Sequence, residues 1–270
     1  MMSQSNFTQQ TICSQHLSEL KTAKSLLENP GLAAKVTDFV GTPIELLIEK
    51  LPEEWNKKIG RVTHTALDKS ASAALYTMKD TPGEESSNIW HKLGAATSGA
   101  IGGFFGIAAL SIELPVSTTL MMRSIGDIAR EQGESINDDE TKLACLQVFA
   151  LGGNSKDDDG AESGYFAIRA MLARATTEAV EHIAKYGLAQ EAAPVLVRFM
   201  TLIAERFGVQ ITQKAAAQAV PAIGAVGGAA INTMFIDHFQ DMAKGHFTVR
   251  RLERQYGQEL VKQQYDLLSI

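Results

Sequence analysis

The chain has 270 residues, 45% of them hydrophobic, 21% charged and 7% aromatic, with 25 basic and 31 acidic residues for a formal net charge of −6. That balance supports a sizeable core and excludes a disordered chain, a coiled coil and a collagen-like fibre, while the acidic total argues against a dedicated nucleic-acid binder. Cys13 and Cys145 stand far apart, which fits neither a disulfide framework nor a Cys-based zinc site. The opening residues show no basic segment followed by a long apolar one, so a cytoplasmic location is expected, with peripheral contact at the inner membrane.

Helical periodicity runs from end to end, and no period-two alternation is bounded by Asn-Gly or Asp-Gly turns, so the expected class is all-α. Residues 1–30 read as a polar tail and a short helix with Leu17, Leu20, Ala23, Leu26 and Leu27 on its apolar face, stopped at Asn29-Pro30. A single multi-helix domain is expected over 31–268. Its first helical stretch, 32–51, breaks at Gly41-Thr42-Pro43, and Glu53 and Glu54 open a helix running to Lys79. Residues 80–87 form a loop. An apolar segment over 90–114 is followed by a restart at Pro115 and a helix to about Gln132, with Gly133 as its stop. Asn137 and Glu140 read as a capping box for a helix that ends at Gly152-Gly153. After a polar loop over 154–164, helices are expected at 165–186, 189–207 and 209–220, and one long helix from Pro221 to about Leu268.

Two runs stand apart, because residues 93–112 and 215–236 carry no charge at all. Gly99/Gly103 and Gly102/Gly106 form overlapping G-x-x-x-G pairs, and Gly224/Gly228 forms a third, a spacing that lets helix backbones approach closely. The domain is therefore expected to be built around two Gly/Ala-rich apolar helices. They are read as a buried hairpin or as a surface for lipid or a partner; a constitutive span is disfavoured because Ala, Gly, Ser and Thr contribute little transfer free energy. Each run precedes an Asp-x-Ala-basic signature, Asp127–Arg130 and Asp241–Lys244, which raises the alternatives of an old duplication and of compositional likeness.

Familiar catalytic signatures are absent: no G-x-S-x-G, no H-E-x-x-H and no phosphate-binding G-x-x-x-x-G-K occurs. The acidic loop ending at Gly160 fails as an EF-hand, because Phe166 stands where a bidentate Glu is required. Polar residues that interrupt or follow the apolar runs form a candidate cluster: Glu113, Arg123, Asp127, Asn232, Asp237, His238 and Asp241. Arg123 is expected to pair with Asp127 or Glu113, and the i,i+3 and i,i+4 spacing of Asp237, His238 and Asp241 serves buried pairing more readily than a metal. No catalytic residue, cofactor or metal is assigned. Arg250, Arg251 and Arg254 are a candidate anionic-lipid patch, set against a solvated face neutralised by the nearby Glu253 and Glu259.

The run GAIGGFFGIAALSIELPVSTTLMMRSIGDIAREQGE, then CLQVFALGG, then GGAAINTMFIDHFQDMAKGHFTVRRLERQYG, strongly resembles the EcsC protein family over roughly residues 40 to 265. The resemblance implies a bacterial membrane context, since the family is named for the third member of an operon whose partners are an ABC transporter ATPase and its membrane subunit. It implies no reaction. The expected function is a non-enzymatic accessory module at the cytoplasmic membrane face, binding an ABC transporter-like membrane protein or lipid through the Gly-rich region. The alternatives are a hydrolase or metal-dependent enzyme with a buried carboxylate/His site, and a carrier of an apolar ligand.

Overall fold

A computed structural model describes residues 11–28, 31–70, 82, 107–153, 164–186, 193–220 and 224–270. Helices α1 (Ser14–Glu28), α2 (Leu32–Val40), α3 (Ile44–Ile48) and α4 (Glu53–Ser70) form the first half. They are followed by α5 (Ile107–Glu131), α6 (Asp139–Gln147), a 3₁₀ turn (Val148–Ala150), α7 (Gly164–Tyr186), α8 (Pro194–Gln218), α9 (Gly224–Tyr256) and α10 (Gln258–Leu267). Among the described residues there is no strand, and the helices make one all-α domain.

The 33 residues of α9 make it the mast of the domain, about 50 Å long at the α-helical rise. Helices α1, α2, α5, α8 and α10 lean on it, while α8 also meets α3, α4 and α7. Between them lies a ring cluster in which Phe149, Phe207, Phe235 and Phe239 have neighbouring centroids 4.8–6.3 Å apart. All four rings are buried, and tilted or edge-on contacts of this kind add about 0.5–1.5 kcal/mol each beyond area burial. α1 lies against α9 at Gly245, where a β-carbon would stand 2.6 Å from Leu27 Cγ and 3.0 Å from the Ala23 carbonyl.

Several boundaries follow the sequence. Gly133 (φ 79°) ends α5: its N–H bonds Arg130 O, and the Glu134 N–H bonds Ala129 O, which closes the last turn. α2 and α3 are separated at Gly41-Thr42-Pro43, and α4 begins at Glu53. Others do not follow it. α5 runs through Pro115 without restarting; Ser111, whose carbonyl loses its helical donor there, is exposed. α8 is one helix over Gly208 rather than two, because Phe207 and Ile211 bury one face and outweigh the roughly 1 kcal/mol that an interior glycine costs. The expected long last helix divides at Gly257, whose φ of 86° cannot continue an α-helix. The capping box also fails: Asp138 caps α6 with no side-chain bond, and Glu140 faces Arg250 instead.

The apolar run 93–106 with Gly99, Gly102, Gly103 and Gly106, the loops 80–81, 83–87 and 154–163, and the end of the expected helix at 71–79 lie outside the described residues. Gly224 opens α9, and Gly228 is buried in its first turns. No helix among the described residues is long and apolar enough to cross a membrane.

Candidate functional site

The seven polar candidates do not gather into one site. Glu113 on α5 pairs with Lys214 on α8, Nζ to Oε1 2.5 Å, and Lys214 also donates to Asn232 Oδ1 on α9 at 2.7 Å. The Lys214 side chain has no exposure, Glu113 has 5%, and Asn232 is fully buried. The Lys214 ammonium lies 5.1 Å from the Phe235 ring centroid, so ion pair, amide and aromatic face together satisfy a cation that water cannot reach. Lys214 was absent from the sequence reading. It stands directly before the second charge-free run as Glu113 stands directly after the first, and the two boundary charges neutralise each other.

Asp127 takes Arg130, one turn on in the same helix, and the pair is almost completely buried. Arg123 is half-buried. Of the carboxylates expected to take Arg123, Glu113 is bonded by Lys214 and Asp127 by Arg130. Asp241 is partly exposed, 3.6 Å from Lys35 on α2. In the second Asp-x-Ala-basic signature the two charges, Asp241 and Lys244, thus reach solvent, while both charges of the first are buried.

His238 points into the core instead. Its ring is 5.1 Å from that of Phe239, it faces the 3₁₀ turn, and its Nε2 has no hydrogen-bond partner among the described residues. Burial, with the charge of Lys35 adding to it, lowers its pKa to about 3. The second buried histidine, His246, lies 3.0 Å from the Tyr165 hydroxyl and is lowered well below its ordinary value, first by burial and then by Arg169 and Arg250. Among the described residues no three His, Cys, Asp or Glu side chains are placed to share a metal ion.

A pH dependence follows. The unfolded chain takes a proton on each histidine near pH 6.5, whereas folded His238 resists protonation down to about 3. The stability is present above 6.5 and is lost as pH falls from there toward 3, because the unfolded state then binds more protons. Urea midpoints should drop between pH 7 and 5.5, above most carboxylate titration, and His238→Leu should flatten that slope.

The arginine patch is neutralised, though not by its neighbours in sequence. Arg250 and Arg254 converge on buried Glu134, the former with Nε 2.9 Å from Oε1, and Thr141 donates to the same carboxylate at 3.0 Å. Burial acts to raise the Glu134 carboxyl, but the bond and charge of Arg250, with Arg254 and Thr141, hold it below its usual value. Arg251 reaches Glu19 at 2.5 Å and Gln132 at 2.9 Å. Glu253, expected to serve this patch, instead forms a two-pronged pair with Arg169, at 2.7 and 3.0 Å. These guanidiniums staple α9 to α1, to α7 and to the turn after α5.

The segment after α6 is the other conspicuous construction. Arg206 donates to Ala150 O and Gly153 O at 2.9 and 3.1 Å, and Gln210 donates to Leu151 O at 2.7 Å, so α8 holds the carbonyls of the turn. This is the CLQVFALGG stretch, and the α5 and α9 motif runs lie against each other in the same core. Residues 14–252 match the EcsC protein family. The chain belongs to the EcsC protein family. Within this EcsC chain the family span takes in α1 to α8 and most of α9, and α10 lies beyond it. No curated protein and no solved structure matches the chain.

Proposed function

We propose that this EcsC chain is a non-enzymatic accessory module that binds lipid or a membrane-protein partner at the cytoplasmic face of a membrane. The observation that supports this reading over a hydrolase is the closure of the Glu113–Lys214–Asn232 group: Lys214 bonds both of the other side chains and all three are covered, so a substrate has no approach to them. General acid–base chemistry requires the acid or base to be within hydrogen-bond reach of the reacting group. Here those positions are filled from within the fold.

Fractionation of native cells, followed by mass spectrometry of co-purifying lipids and proteins, tests the reading. A peripheral share released by salt or carbonate, carrying lipid or a membrane protein, is the expected result. Hydrolytic turnover by the purified chain that Glu113→Gln abolishes in a folded variant would overturn it, as would recovery in detergent alone.

A further inference from the structure

We propose that the cleft between α4 and α5 is the face on which this chain docks to anionic phospholipid; the inference rests on the membrane-face reading above and gives it a surface. Lys58, Arg61 and Lys69 line one wall of the cleft, and Ser111 and Pro115 line the other. The cleft is open to solvent and has a volume of about 350 Å³. Positions 58, 61 and 69 fall at offsets of three and eleven, which bring them to one face of α4. No acidic side chain is among the described residues that line this cleft, and no described carboxylate lies within ion-pair distance of the three cations.

The cations of α9 are placed differently. Arg250, Arg251 and Arg254 are matched by Glu134, Glu140, Glu19 and Gln132 and have little left to offer an external anion. The α4 cations have no carboxylate partner among the described residues. Next to them, one position on from Ser111 and from Pro115, Ile112 is 76% exposed and Val116 is 48% exposed, one turn apart on α5. Unmatched cations beside protruding branched aliphatics fit an occupant that is anionic at its surface and apolar beneath. A soluble anion would leave Ile112 and Val116 in water, and an apolar peptide would leave the cations without partners. An anionic bilayer satisfies both. The net charge of −6 repels such a surface from most orientations, so a local positive face also orients the encounter.

The full chain is co-sedimented with vesicles of phosphatidylcholine alone and of phosphatidylcholine mixed equally with phosphatidylglycerol. Binding is expected only to the mixed vesicles and should weaken as salt rises. Each cation near an anionic surface contributes about five-fold, so Lys58→Ala/Arg61→Ala/Lys69→Ala should lose on the order of 100-fold in affinity. A control that removes exposed Lys21, Lys185 and Lys244 should keep most of the binding. Ile112→Ser/Val116→Ser should lose about ten-fold while retaining the salt dependence. All variants alter surface or half-exposed positions, and melting curves matching the parent establish that they fold. Parental binding by the triple cleft variant overturns the cleft assignment and leaves the membrane-face proposal standing. Failure of the parent to bind either vesicle overturns lipid docking, with the partner arm then decided by the fractionation. Binding of inorganic phosphate at the cleft without vesicle binding would mark a soluble-anion site and also overturn the inference.

Discussion

Replacing Glu113 with alanine is expected to lower the melting temperature by about 10 °C. The substitution leaves Lys214 buried with Asn232 Oδ1 and the Phe235 ring but no counter-charge. Breaking a buried pair by removing one partner costs roughly 3–5 kcal/mol, and each kcal/mol moves the midpoint of a chain this size by about 2–4 °C. The double variant Glu113→Leu/Lys214→Met should recover most of the loss, because it removes both desolvated charges at nearly constant volume. The remaining deficit is the bond that Asn232 Oδ1 loses from Lys214, on the order of 1–3 kcal/mol. Calorimetry of the single and double variants checks both statements. A single variant that melts like its parent would show that water reaches the Lys214 ammonium.

Gly152→Ala is expected to cost about 3 kcal/mol for two separable reasons. The residue has φ of 71°, a left-handed conformation that an alanine holds only with about 1–2 kcal/mol of strain. Its β-carbon would also stand 2.5 Å from His238 Cε1 and 2.7 Å from Met242 Sδ, where overpacking adds about 1–3 kcal/mol. Backbone relief is restricted because Arg206 and Gln210 hold the carbonyls on either side. His238→Ala opens the space without changing the dihedral. Denaturant unfolding of the four-member cycle should therefore show the double variant losing less than the sum of the singles, with the dihedral cost persisting.

Much of the fold was legible because it depends on local chemistry. The all-α class, the stop at Gly133, the break at Gly41-Thr42-Pro43 and the start at Glu53 all follow from spacing, φ preference and charge near helix ends. The errors concern elements whose outcome is decided at a distance. Gly208 reads as a break until Phe207 and Ile211 are seen to be buried, and Pro115 reads as a start until Ser111 is seen to be exposed. Glu140 reads as a cap until Arg250, 110 positions later, takes it. The site fared worse for the same reason. Glu113 and Asn232 were legible as polar residues bordering or interrupting apolar runs, but Lys214, 101 positions from Glu113, carries no local sign of its partner. Charge density marked Arg250, Arg251 and Arg254 as the candidate anionic-lipid patch, whereas among the described residues the cations without carboxylate partners include the sparser ones on α4. Density in sequence says nothing about neutralisation from other helices.

The packing of α10 has a consequence for where this domain ends. Lys24, on α1, donates to the carbonyls of Tyr265 and Leu268, both at 2.9 Å, and lies 5.0 Å from the Tyr265 ring centroid. Tyr265 in turn covers Phe166 and Tyr165 at the start of α7, with centroids 5.0 and 5.8 Å away. Both acceptors and the Tyr265 ring come after residue 252, where the family match ends. A fragment trimmed to the matched span would take both carbonyl acceptors from the Lys24 ammonium and open the aromatic floor beneath Tyr265 to water. The folded domain thus extends past the matched span, and α10 is the piece that closes it.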